Sequence, residues 1–414
     1  MTGSARARQL LTEAESIART VAYPSVGHPS GFQSWALREI VRPLSRLDPD
    51  DAERLARTIA TPRDQAEALN DVASALVNAQ PDRARRLFTD AERAAEHNLT
   101  YIPIREGTLP SYTGERDRAL VVICSSLAPL DIADAERVAR TIDGREWKVS
   151  ALHAIAETSI ASDPRRARRL LTEAEHLART GGFHPLGYVL GEVAGTRARL
   201  DRHTAERIAR GISDEYAQGR ALREIVRNLA ETDPHHAEGI TAHITNPIRR
   251  AQAITLIAAA LAKTEPGRAR RSLADAADLL LTSDTRHPWL QARTLTKIAA
   301  AAVQPDPALA RTLLTEAERI PCPHYQAAVL LEDMAEAMAR LDRAEAERIS
   351  HSIAQPPVHR LNALRKIGRV IVADDPDHAE RIALELPRPH HQARAMAGMA
   401  MALIEQATPE ALTA

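Results

Sequence analysis

Asp48-Pro49-Asp50-Asp51-Ala52-Glu53-Arg54-Leu55-Ala56-Arg57 and Asp375-Pro376-Asp377-His378-Ala379-Glu380-Arg381-Ile382-Ala383 are two copies of one pattern. Related starts occur at Asp131, Asp163, Asp201, Asp233, Glu265, Asp306 and Asp342, with a looser one near Gln80. The segment from about Ala5 enters partway through the same pattern. Asp before Pro places an N-cap ahead of the first helical position, where the missing proline N–H costs nothing. A Glu one turn in (Glu53, Glu136, Glu206, Glu380) is expected to complete the cap and to favour the positive helix end. Ala-x-x-Ile/Leu-Ala then sets small and branched apolar residues on one helical face.

Turns containing Pro or Asp follow, as at Thr61-Pro62, Asn246-Pro247 and Gln355-Pro356-Pro357. A second helix then carries Ala-Leu-x-x-Ile, seen as Ala36-Leu37-Arg38-Glu39-Ile40, Ala221-Leu222-Arg223-Glu224-Ile225 and Ala363-Leu364-Arg365-Lys366-Ile367. Starts 48 and 80, 131 and 163, 201 and 233, and 233 and 265 are 32 residues apart, room for two helices of about 12 residues and two turns. One such pair cannot bury its apolar face alone, so neighbours must stack. The sequence predicts an all-α solenoid, a right-handed superhelix of about ten to eleven helix-pair repeats. It reads as one repeat domain over 1–414 with an inserted loop at about 97–117. Over nearly the whole chain it resembles the α-solenoid classes, tetratricopeptide-like and HEAT-like. A regular Trp…Leu-Gly…Tyr signature is absent. The resemblance implies binding of proteins or peptides, with DNA for some HEAT-like members.

Composition agrees with close helix packing. Aromatics are only 3% against 44% hydrophobic residues, so Ala, Leu and Ile must fill the core. The net charge of −1 gives no global pull toward nucleic acid or anionic membrane. Of 54 basic residues four are lysines: Lys148, Lys263, Lys297 and Lys366. Cys124 and Cys322 stand far apart, which argues against a disulfide framework. The start of the chain lacks a signal-type apolar run and no stretch is long enough to span a bilayer, so the protein is expected to be cytoplasmic.

The turns between pairs are terse and the turns within pairs are long and variable, which points to one edge as the contact side. The expected contact residues are Tyr101, Arg105 and Tyr112 in the 97–117 loop, with Trp147, His184, Tyr188, Tyr216, Trp289 and Tyr325. Four or five residues upstream of Ala-Leu-x-x-Ile stand Phe32, Trp147, His184, Tyr216, Trp289, Tyr325, His359 and His390/His391. Such rings either plug each turn against its own repeat or form a ladder that anchors a ligand.

Arginines open several first helices (Arg83, Arg85, Arg86; Arg165, Arg166, Arg168, Arg169; Arg268, Arg270, Arg271) and offer either a phosphate-contacting stripe or a paired, solvated face. The His235-His236 and His390-His391 pairs are expected to point in different directions, and no metal-ligand spacing occurs. Asp374-Asp375-Pro376-Asp377 reads as a repeat junction rather than as the Asp-rich metal motif of all-α terpene-forming enzymes. No catalytic constellation or cofactor motif is visible, and no cofactor is expected. The sequence therefore favours a scaffold that binds a protein or peptide through its concave face and the within-pair loop edge. The alternatives are a HEAT-like nucleic-acid binder, of base-excision type for instance, and a small-molecule enzyme or sequestering protein with its pocket inside the superhelix and the long loops as a lid.

Overall fold

The computed structural model describes residues 3–21, 31–96, 113–180, 186–283, 287–353 and 357–411. Those residues form 22 helices, eleven pairs, and no strand. The chain falls into two compact units, one made of Met1–Ser162 with Gly368–Ala414 and the other of Asp163–Ile367. The pairs are α1 (Gly3–Arg19) with α2 (Gly31–Leu47), α3 (Pro49–Arg57) with α4 (Pro62–Leu76), α5 (Pro81–Glu96) with α6 (Thr113–Leu127), and α7 (Ile132–Arg140) with α8 (Arg145–Ser159). They continue as α9 (Pro164–Thr180) with α10 (Leu186–Ala198), α11 (Arg202–Arg210) with α12 (Glu215–Leu229), and α13 (Pro234–Thr241) with α14 (Pro247–Leu261). The last are α15 (Pro266–Thr282) with α16 (Pro288–Ala302), α17 (Pro307–Arg319) with α18 (His324–Met338), α19 (Arg343–Ser352) with α20 (Pro357–Ile371), and α21 (Pro376–Leu384) with α22 (Pro389–Ala411).

The chain is an all-α solenoid, and its Asp caps start the helices as the sequence predicts. Asp48, Asp131, Asp163, Asp201, Asp233, Asp306, Asp342 and Asp375 each accept, through Oδ1, the N–H three residues on, at 3.0–3.2 Å. The Glu one turn in has a different task. It lies five residues past the cap, beyond the third position from which a side chain reaches back. Glu53 instead pairs with Arg57 (2.8 Å) and with Arg83 (2.8 Å), and Glu206 with Arg210 (2.8 Å) and His236 (3.0 Å). Glu136 pairs with Arg140 at 3.2 Å. This position thus tethers one first helix to itself and, in several repeats, to the next.

Within each unit, second helices lie side by side, and first helices close the gap behind them. Alanines at the contacts have no exposed surface, among them Ala52, Ala66, Ala156, Ala221, Ala253 and Ala299, which lets helices approach closely. The segment 113–117, expected in the loop, is instead the first turn of α6. Arg116 there is anchored to Asp117 (3.1 Å) and to the Thr141 carbonyl (3.1 Å).

The first unit joins the two ends of the sequence. Helix α22 packs on α1 and α2. Arg6 of α1 meets Glu380 of α21, the same link that joins Arg83 to Glu53. Phe32 stacks on His390 at 4.6 Å, and the Arg394 guanidinium lies 3.2 Å from the Trp35 ring centroid. The pair α21–α22 is followed by α1–α2 as any pair is followed by the next. Met396 and Met399 are 0% and 1% exposed in a layer that the opposite end of the chain helps to cover.

Candidate ligand-binding site

Two sets of positions run along the second-helix row. The first comprises the rings near the helix N-termini. In the second unit Tyr216, Trp289 and Tyr325 each contact the next second helix, and Trp289 also lies 5.3 Å from the Arg293 guanidinium of its own helix. Tyr216 of α12 lies under the Arg249 guanidinium of α14 (4.2 Å), and Trp289 of α16 donates Nε1–H to the Gln326 carbonyl of α18 (3.1 Å). Tyr325 of α18 sets its ring edge-on to His359 of α20 (5.2 Å). These three rings thus lie at a seam between successive repeats. Tyr216 and Trp289 are half-buried, while Tyr325 keeps 64% exposure. In the first unit Trp147 is half-buried over Gly144, whose N–H donates to Asp117 Oδ2 (2.7 Å). Tyr101, Arg105, Tyr112 and His184 lie outside the described residues, as does the side chain of Tyr188.

A second set occupies one slot of the Ala-Leu-x-x-Ile motif, the residue before the Ile position. It runs Glu39, Asp71, Val122 and Ala154 in the first unit, with Gly398 from α22. In the second unit it runs Glu192, Glu224, Leu256, Lys297, Asp333 and Lys366. Two of the four lysines fall here, in opposite circumstances. Lys366 is clamped by Glu332 (3.2 Å), Asp333 (2.9 Å) and Glu336 (3.3 Å). Lys297 has no hydrogen-bond or ion-pair partner among the described residues.

Lys297 borders a notch of about 150 Å³ walled by α12, α14 and α16 and lined by Arg223, Arg227, Gln252, Thr255, Leu256 and Thr294. Gln252 organises the wall. Its Oε1 accepts from Arg223 Nη1 (3.1 Å) and Arg249 Nη1 (2.8 Å), and its Nε2 donates to Thr294 Oγ1 (3.0 Å). Glu224 pairs with both Arg223 and Arg227, the latter at 2.9 Å. Although exposed at the rim, Lys297 has its pKa held below the ordinary lysine value, first by the loss of hydration in the notch and then by Arg293 and Arg223, against the pull of Asp333. Lys297 can therefore meet a negative group at the notch without giving up an ion pair of its own. Nothing in the local sequence around Lys297, Arg223, Arg227 or Gln252 marks them as site residues. Alignment on Ala-Leu-x-x-Ile, with attention to the rarity of lysine, carries the signal for the first of them.

In the first unit the same slot holds Asp71, half-buried on α4. Burial pushes its carboxyl up to about 6 from 3.8, against the opposing pull of Arg42 and Arg38. The folded state then holds a proton that the unfolded chain releases, so stability falls as pH rises from about 4 to 6 and is level above. Asp71→Asn is expected to raise stability at pH 7 by on the order of 1–2 kcal/mol and to leave it unchanged near pH 4. Denaturant titrations at the two pH values check this, and an equal effect at both contradicts it.

The first-helix arginines are largely engaged. Arg83 pairs with Asp50 (2.6 Å) and Glu53, Arg85 with Asp82 (2.9 Å), and Arg268 with Glu238 (2.7 Å) and Glu265 (3.2 Å). Charge on that face is intermixed, not a stripe. His390 is only 4% exposed and its ring lies 4.2 Å from that of His391, so this pair does not diverge as expected. His236 pairs with Glu206, and His235 lies 3.3 Å from Arg268. Asp374–Asp377 is a repeat junction, with Asp375 capping α21. Cys124 is buried, and burial pushes its thiol up to about 12; burial also raises that of Cys322. No helix among the described residues is long and apolar enough to cross a membrane.

No protein-family model matches the chain, and no curated protein matches it. Among solved structures, the crystal structure of Ton1535 from Thermococcus onnurineus NA1 is 13% identical over 84% of this chain and 94% of that one, with a TM-score of 0.31. A circular tandem repeat protein with novel repeat topology and enhanced subunit contact surfaces is 15% identical over 99% of this chain and 100% of that one, with a TM-score of 0.18. At such low superposition neither bears on fold or function.

Proposed function

We propose that the second-helix face of the second unit is a docking face for an extended polypeptide segment, which makes the protein a binding scaffold. The observation that carries this reading is Tyr325. It is a large ring, 64% exposed, at the end of a row of half-buried rings. Lys297 lies eight residues along α16 from Trp289, about 12 Å at 1.5 Å per residue. An extended segment of four or five residues spans that distance. One apolar side chain would sit on the ring seam while an acidic group enters the notch, a ring anchor with a charged register contact. The paired arginines of the first helices favour this over a nucleic-acid stripe, which needs free cations in series.

Selection of a random twelve-residue peptide library on the immobilised full chain tests the reading. The selected peptides are expected to combine an aromatic or long aliphatic residue with Asp or Glu. Tyr325→Ala and Lys297→Met should each weaken the selected peptides by about tenfold while the far-ultraviolet signal stays intact. Absence of any convergent motif, or equal binding by both variants, overturns it.

A further inference from the structure

We propose that the notch between α12, α14 and α16 is a binding site for a phosphate monoester, with Arg227 and Lys297 as its ligating cations and Arg223 as the fixed charge at its wall. The charge balance selects the ligand. Three cations line the cavity, and the carboxylate bound among them is Glu224, shared between Arg223 and Arg227. The excess is two positive charges. A carboxylate would neutralise one of them, whereas a phosphate monoester near neutral pH carries close to two.

The donors also suit a tetrahedral anion. Arg223 is locked by Gln252 and Glu224, so its guanidinium is pre-set and costs little ordering on binding. Arg227 is about half exposed and can swing. The Lys297 ammonium, unpaired at the rim, supplies a mobile point charge. The neighbouring lysine of the same slot gives the contrast: Lys366 already has three carboxylates within 3.3 Å, so an anion arriving there would meet repulsion. Leu256 supplies an apolar wall against which the ester carbon can rest. Neither backbone N–H groups nor a helix terminus take part, because the notch lies in the middle of three helices.

This inference rests on reading the α12–α16 face as a ligand face, but its test does not require a polypeptide. Lys297 sits among cations in a partly dehydrated notch, and a bound dianion stabilises its ammonium form against the free amine that acetylation needs. Acetylation of the full chain by a limiting amine-reactive reagent, followed residue by residue by mass spectrometry, reads this out. Lys263, exposed on the turn after α14, serves as the internal control. Inorganic phosphate is expected to slow Lys297 acetylation about tenfold at saturation and to leave Lys263 unchanged.

In calorimetry Arg227→Met should weaken phosphate binding about tenfold, and Glu224→Gln, which removes the competing carboxylate, should tighten it. Sodium chloride at equal ionic strength should not protect Lys297. Protection by chloride or acetate equal to that by phosphate, or none by phosphate, overturns the proposal. A phosphoserine peptide that protects at lower concentration than inorganic phosphate places the phosphate on a polypeptide; equal protection places it on a small molecule. Either source supports the site. Failure of the peptide selection with retained phosphate protection removes only the docking reading.

Discussion

A chain lacking α1 is expected to lose the cooperative fold of its first unit. Leu10 and Leu11 are 2% and 3% exposed, and Ala7, Ala14 and Ala18 have no exposed surface. The faces they cover include α22, which carries Met396, Met399 and Ala400 at 0–1% exposure. Burial of two leucines is worth about 3–6 kcal/mol by transfer alone, and the uncovered side of α22 adds a loss of similar size. Domain stabilities are about 5–15 kcal/mol in total, so the deletion removes most of what holds the unit. Hydrogen exchange is the informative measurement, because the second unit reports on itself. Amides of α2 and α22 should lose protection while those of α12 to α16 keep it. Unchanged protection in α22 would mean that α1 contributes nothing to that layer.

Gly195→Leu is the second change with a large expected effect. A Cβ added at Gly195 would meet the Glu224 carbonyl oxygen, the Glu224 Cβ and Asn228 Nδ2, each at 3.0 Å, and one at Gly191 would come within 3.3 Å of the Ala221 Cα. These two glycines, one turn apart on α10, let its backbone lie against α12. A glycine inside a helix ordinarily costs about 1 kcal/mol relative to alanine, so Gly→Ala usually stabilises. At Gly195 the sign reverses, because the obstacle is backbone and cannot rotate away. Gly195→Ala should destabilise by about 1 kcal/mol and Gly195→Leu by about 3 kcal/mol. Gly398 in α22 has nothing within 4 Å of its added Cβ, and Gly398→Ala should stabilise by about 0.5–1 kcal/mol. Thermal or denaturant unfolding compares the three. Opposite signs at Gly195 and Gly398 are the outcome expected; the same sign at both would mean that α10 and α12 are further apart than described.

The helix pairs were legible because their signals are local. An Asp cap, a proline at the first helical position and an apolar spacing each act within a few residues, and the eight Asp caps show the geometry those residues imply. What failed was local reasoning stretched across repeats. Glu53, Glu206 and Glu380 looked like partners for their own helix starts, but five residues separate them from the cap, and the side chains reach the next first helix instead. The rings at Tyr216, Trp289 and Tyr325 were recognised by register, yet their partners at Arg249, Gln326 and His359 depend on the offset between pairs, which no single repeat encodes. Lys297 and Lys366 hold the same slot and differ only in what stands opposite. Gln65, Gln218 and Gln392 were likewise overlooked: each donates to two carbonyls at the end of the preceding first helix and so fixes the turn within its pair. The junction of the chain ends had one readable sign, Arg6 standing in α1 where Arg83 stands in α5.

That junction decides whether the repeat order runs on from α21–α22 into α1–α2. A double-mutant cycle between Trp35 and Arg394 measures it most directly, since the two residues lie near opposite ends of the sequence and their side chains stack at 3.2 Å. With Trp35→Leu and Arg394→Met as the single changes, a coupling of about 1 kcal/mol or more is expected. Additivity within about 0.3 kcal/mol would show that the two ends do not meet.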